Sequence, residues 1–189
     1  MGQNLITGGK NIVIGKEFAE IFKITLFAGL TALGAQIEIP AYPVPFTLQT
    51  FFVLLSGAFL GARNGAVSQL LYLLAGTAGL PVFSGFGFGI VRLFGPAGGY
   101  LLSFPVAALV VGYLSEKRRN FAWSFLSMLT GLFTVFAFGT FYLNTIYLHD
   151  WSISFKSGVL IFSWWDCLKL IAAAGIFSQL SKKKSRISS

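Results

Sequence analysis

Charge is scarce in this 189-residue chain, where Asp, Glu, Lys and Arg together make up 11% of the residues. A soluble domain carries about a quarter, so there is too little charge here to coat a surface facing water. Acid is scarcer than base, with 6 Asp and Glu against 14 Lys and Arg. No acidic cluster accompanies the lone histidine, His149, which argues against a catalytic metal centre. The lone cysteine, Cys167, allows neither an internal disulfide nor a redox pair. HExxH, GxSxG, CxxC and the phosphate-loop pattern GxxxxGK[ST] are all missing. The chain is therefore expected not to be an enzyme, to hold no cofactor and to hydrolyse no ATP of its own.

Apolar residues fill the space that charge leaves. The chain is 55% hydrophobic and 16% aromatic, with a mean hydropathy of +0.76. That composition describes an integral membrane protein, read as a single transmembrane domain over residues 1–189. A net charge of +8 in a soluble protein would suggest nucleic acid. Here the basic residues flank apolar runs, so the lipid bilayer is the expected partner and nucleic acid is not.

The fold class expected is all-α, with six transmembrane helices. Residues 1–17 read as a polar N-terminal segment and 181–189 as a basic tail. The six helices are read over Phe18–Ile37, Phe46–Leu60, Ala66–Ala78, Gly99–Leu114, Phe121–Ile146 and Gly158–Leu180. The first apolar run imitates a signal sequence, but further spans follow, so it is read as retained. Pro40, Pro43 and Pro45 stiffen the first loop and exclude helix there. The second loop, from Gly79 to Tyr100, is rich in glycine. Its Phe–Gly alternation must be buried, capping or interfacial, because an open strand edge cannot face lipid.

Lys10, Lys16, Arg63, the Lys117–Arg119 cluster and the Lys182–Arg186 tail fall on one side of this topology, and only Arg92 and Lys156 on the other. The basic side is cytoplasmic. Both termini are then expected inside, with the chain spanning a cytoplasmic membrane several times.

Asp166 and Lys169 stand in the last apolar run, which leaves them beneath the three outer loops. Spaced i, i+3, they share a helix face. Charges within a span are costly and mark either a ligand site or a packing tether, and both readings are open. Trp164 and Trp165 serve as interfacial anchors or as a pocket wall. Thr47, Gln49 and Thr50 either cap the second helix or, through the Gln49 amide, meet a ligand. Gln36 is a weaker case of the same kind. Arg92 is either a solvated loop charge or an attractor of an anion. Three functions follow: solute capture for a transporter, a self-sufficient carrier of a small anion or zwitterion, and a structural membrane subunit.

Several stretches resemble one family. Gly34-Ala35-Gln36-Ile37 leading into Pro43-Val44-Pro45-Phe46-Thr47-Leu48-Gln49-Thr50 is similar to the first outer loop of the BioY family. Gly79-Leu80-Pro81-Val82-Phe83, Gly95-Pro96-Ala97-Gly98-Gly99-Tyr100 and Asp166-x-x-Lys169 complete the pattern. The resemblance spans Ala28 to Leu180. It implies a six-helix S component of an energy-coupling factor (ECF) transporter, one that captures biotin from outside. It also implies that Asp166 and Lys169 contact biotin, and that a transmembrane coupling (T) subunit and two ATPase subunits power uptake. The coupling subunit is expected on a small-residue stripe of the first helix, at Ala28 and Ala32. Two positions depart from the pattern: Trp164-Trp165 replaces a glycine-rich approach to the acid, and Ala97 replaces a threonine.

Overall fold

The structure, a computed structural model, describes residues 4–118, 120–157 and 163–187, with side chains described for 15–118, 120–157 and 165–181. Arg119, the helix start expected at Gly158, the Trp164 side chain and the side chains of Lys10 and of the Lys182–Arg186 tail lie outside the described residues.

The chain is predominantly helical. Helix α1 covers Asn4–Gln36, and strands β1 (Glu38–Ile39) and β2 (Phe46–Thr47) bracket the proline-rich loop. Helix α2 follows over Gln49–Thr77. Two 3-10 turns, Ser84–Phe86 and Ile90–Phe94, precede α3 (Gly98–Lys117). Helix α4 (Phe121–Leu143) runs on through a π turn, Asn144–Leu148. The short helix α5 (Trp151–Phe155) and then α6 (Ser163–Ile187) complete the order.

Four of the described segments are long and apolar enough to cross a membrane: Gly15–Gln36, Gln49–Thr77, Gly98–Lys117 and Phe121–Leu148. Helix α6 is not among them. It carries Asp166 and Lys169 on its apolar stretch and ends in Lys182, Lys183, Lys184 and Arg186.

Helix α2 is a hairpin. A straight helix would hold Gln49 and Tyr72 about 34 Å apart at 1.5 Å per residue, yet their side chains are hydrogen-bonded at 2.5 Å. Ser56 and Gln69 meet in the same way at 3.0 Å. The fold point is Gly61, whose φ of 81° and ψ of 177° break the helix. Positive φ suits glycine and strains a residue bearing a Cβ. Glu116 Oε1 accepts from Ala62 N at 3.1 Å, supplying an acceptor and a negative charge where the second arm begins. Beyond the bend the arms close on glycines, since a Cβ on Gly65 would lie 2.8 Å from Gly57 Cα. The two helices expected over Phe46–Leu60 and Ala66–Ala78 correspond to these arms, 49–60 and 62–77.

Other boundaries shift for local reasons. Phe46 and Thr47 are strand rather than helix, because Thr47 pairs with Glu38 and Phe46 with Ile39 in antiparallel register. Leu48 N then donates to Gly34 O and Ile37 O at 3.1 and 3.0 Å, which ties the loop to the end of α1. The backbone of α1 is helical from Asn4, well before the expected Phe18. The segment after α4, expected as loop, holds α5, whose N-cap Asp150 accepts from Ile153 N.

Helix α3 lies between α2 and α4, α1 covers α2, and α6 packs against α4 and α2. One core cluster joins Tyr72, Phe83, Tyr100, Phe104 and Val135 near the loops. A second joins Leu54, Met128, Leu132, Leu170 and Phe177 nearer the Gly61 bend. Between α1 and the hairpin, the fully buried Gln69 amide nitrogen shares its two protons among the hydroxyls of Ser56, Ser68 and Thr31, at 3.0, 3.2 and 3.2 Å, and its oxygen lies 3.3 Å from the Thr31 hydroxyl.

Ala28 belongs to the first cluster at 7% exposure, and Ala32 packs against it. Within this chain, the stripe expected to meet a coupling subunit thus packs on the chain's own core at Ala28 and stays partly exposed at Ala32. Its small side chains let α1 approach its own neighbours. Phe18, Ile21, Phe22, Leu26 and Leu33 are the exposed large apolar side chains among the described residues of α1.

Candidate functional site

Helix α6 places Asp166 and Lys169 on one face, three residues apart, and packing against α2 buries both. Lys169 Nζ lies 2.5 Å from Asp166 Oδ1. It also donates to Thr50 Oγ1 at 2.6 Å and to Thr47 O at 3.1 Å, and stands 4.2 Å from the centre of the Phe46 ring. The ammonium's three protons thus meet a carboxylate, a hydroxyl and a carbonyl, with an aromatic face beside them. Thr50 Oγ1 completes the triangle by donating to Asp166 Oδ1 at 3.4 Å.

This cluster lines a cavity of about 150 Å³, on the scale that admits a small organic ring. The proline-rich loop contributes Pro43, Val44, Pro45, Phe46 and Thr47, and the glycine-rich loop contributes Phe83, Ser84, Arg92, Pro96 and Ala97. Helix α3 adds Tyr100, Leu101 and Phe104, and α4 adds Val135 and Phe136. Few polar groups converge in a mostly apolar hollow, as ligand pockets commonly arrange them.

Of the residues singled out by sequence, Asp166, Lys169, Gln49, Thr47 and Arg92 line the cavity. Gln36 does not. Its amide donates to Val82 O and Phe83 O at 3.4 and 3.1 Å and accepts from Phe86 N at 3.0 Å, so it pins the second loop to α1. Trp165 does not reach the cavity either. It is 49% exposed, and its ring lies 6.4 Å from that of Phe46, whose ring also meets Lys169. Thr47 makes no cap: the N-cap of α2 is Leu48, without a side-chain bond. Instead the Thr47 hydroxyl donates to Gln49 Oε1 at 2.8 Å and accepts from Gln49 N at 3.3 Å.

Thr50, which the sequence left between a helix cap and a place beside a ligand group, bonds both charges. Leu101, Phe104, Val135 and Phe136 carry no motif; only the packing of α3 and α4 beneath the loops brings them to the cavity.

The model of the BioY family matches residues 10–186. The biotin transporter BioY of Thermotoga maritima is 44% identical over 163 residues, covering 86% of this chain and 96% of its own. A probable biotin transporter BioY of Pyrococcus horikoshii is 38% identical over 161 residues, covering 85% and 95%. In fold, the chain matches the crystal structure of the S-component for biotin from an ECF-type ABC transporter, with a TM-score of 0.81 at 24% identity over 89% of this chain and 93% of that one. The chain belongs to the BioY family.

Proposed function

We propose that this chain captures biotin in the cavity beneath its loops and acts as the substrate-binding S component of an ECF transporter. One observation carries the reading: Lys169 and Asp166 meet at 2.5 Å inside a largely apolar cavity of a membrane protein. Ionisable groups in that setting are costly and mark ligand or ion sites. The names of the curated relatives support biotin as the ligand.

Biotin's chemistry suits the site. Its ureido ring offers two N–H donors and a carbonyl acceptor, its sulfur ring is apolar, and its tail ends in a carboxylate. Asp166 accepts an N–H, while Lys169 donates to the ureido oxygen in exchange for one of its three present acceptors. Phe46, Phe83, Tyr100 and Phe104 enclose the apolar ring. A carboxylate is repelled by Asp166, so the tail points away from α6, toward Arg92, the other cation lining the cavity.

Six membrane crossings follow from α1, the two arms of α2, α3, α4 and α6. The arms are about 18 and 24 Å long, short for a hydrocarbon core of about 30 Å, and their shortness leaves room for loops above them. Arg63, Lys117 and Arg118 lie at the end opposite the cavity. By the bias of basic residues that end is cytoplasmic, both termini are inside, and the cavity opens outward from the bacterial cytoplasmic membrane. The coupling subunit docks on the exposed face of α1, the least enclosed of the four apolar spans, and two ATPase subunits consume the ATP.

The test is uptake of labelled biotin by cells that lack a biotin transporter of their own, expressing this chain with its coupling and ATPase subunits. Uptake that depends on all of them is expected. Absence of uptake with every subunit present contradicts the transport reading, and undiminished uptake without the ATPases contradicts the coupled one.

A further inference from the structure

The hydrogen bonds behind Gln49 form a directed chain. Tyr72, on the second arm of α2, is 1% exposed. Its hydroxyl donates to Val82 O at 3.2 Å. A phenol has one proton, so toward Gln49 it acts as acceptor, and Gln49 Nε2 donates to it at 2.5 Å. At the other edge of the same amide, Thr47 donates its proton to Gln49 Oε1. Both ends of the amide are thereby named: nitrogen toward Tyr72, oxygen toward Thr47. A flipped amide would require both hydroxyls to turn their protons, Thr47 away from Gln49 and Tyr72 away from Val82 O toward the amide oxygen. Gln49 lines the cavity, so this orientation decides where the site presents its remaining amide N–H and its remaining oxygen lone pair.

We propose that Tyr72 is a positioning residue which, together with Thr47, locks the Gln49 amide in the single orientation that receives the ligand. The inference rests on biotin being that ligand. Tyr72 acts through Gln49 without contributing a group of its own. Its ring is set independently of the hydroxyl, edge-on to Phe83 at 5.5 Å and stacked near Phe104 at 6.4 Å. Val82 O keeps a second donor, Gln36 Nε2, when the phenol is lost. Tyr72→Phe therefore removes the lock and leaves the packing in place.

The experiment is a double-mutant cycle on purified full-length protein, with biotin affinity measured for the parent, Tyr72→Phe, Gln49→Ala and the double variant, and thermal melting followed alongside. Tyr72→Phe is expected to weaken biotin about tenfold, the loss of one well-placed hydrogen bond. On the Gln49→Ala background the same change is expected to cost nothing further, while the unliganded melting temperature moves little. Additive losses, or a Tyr72→Phe protein that binds like the parent, overturn the inference. A parent that binds no biotin overturns the functional reading and this inference with it, which separates the two failures. Should Tyr72→Phe fail to fold, Thr47→Val in the same cycle releases the other end of the amide. Coupling with Gln49→Ala is again expected, and additivity overturns the lock.

Discussion

Thr50 Oγ1 lies 2.6 Å from Lys169 Nζ and 3.4 Å from Asp166 Oδ1, so one hydroxyl of α2 joins both charges of α6. The pair is held to another helix and is not a tether within α6 alone. A buried charge pair is weak evidence for stability, since desolvation consumes much of the Coulomb gain. Its placement at the cavity is better explained by what it offers a ligand.

Thr50→Val is the mildest probe of that arrangement. It keeps the shape and leaves the ammonium two acceptors, Asp166 and Thr47 O. Biotin affinity is expected to fall about tenfold, corresponding to one charge-assisted hydrogen bond, as read by titration calorimetry. Unchanged affinity would remove Thr50 from the site.

Gly61→Ala tests the hairpin. At a φ of 81° the added Cβ also meets Glu116 Oε1 at 2.6 Å. A loss of about 1–3 kcal/mol is expected from backbone strain, seen as a lower melting temperature. The protein that remains folded should bind biotin normally, because the bend lies at the end opposite the cavity. A melting temperature equal to the parent's would show that the bend tolerates an ordinary residue.

Ala28→Trp separates the inward stripe from a docking surface. At 7% exposure the indole has no room, and overpacking of this kind typically costs about 1–3 kcal/mol. The melting temperature should drop whether or not a coupling subunit is present. Leu33→Ala, on the exposed face at 65%, should leave melting and biotin binding as they are. A variant at Ala28 that melts like the parent yet loses the coupling subunit would return that stripe to the interface.

Gln36→Ala should loosen the second loop without removing any cavity group. Hydrogen exchange over residues 82–86 is expected to quicken, because the Phe86 N–H loses its acceptor and Val82 O and Phe83 O each lose one of their donors. Slow exchange there in the variant would mean the loop is held by other contacts.

The parts of the fold that depend on local pattern were legible in the sequence. The apolar runs placed α3 and α4 to within a few residues, and the charges of α6 stood out because so little else in the spans is charged. What escaped depends on pairing at long range. Phe46 and Thr47 read as the start of a helix, since nothing local announces that Glu38 and Ile39 pair with them. Gln36 read as a ligand group, although its acceptors are carbonyls some 46 and 47 residues away. Ala28 and Ala32 show the limit most plainly. A small-residue stripe states that something comes close, but not whether that neighbour is another subunit or the chain's own core.

Equilibrium binding of labelled biotin to the purified protein, set beside Asp166→Asn and Lys169→Ala, tests the central claim most directly. The parent should bind biotin and each variant should lose about a hundredfold or more in affinity, the usual scale for removing one member of a buried, hydrogen-bonded charge pair. Full affinity in both folded variants, or no binding by the parent, would contradict the account.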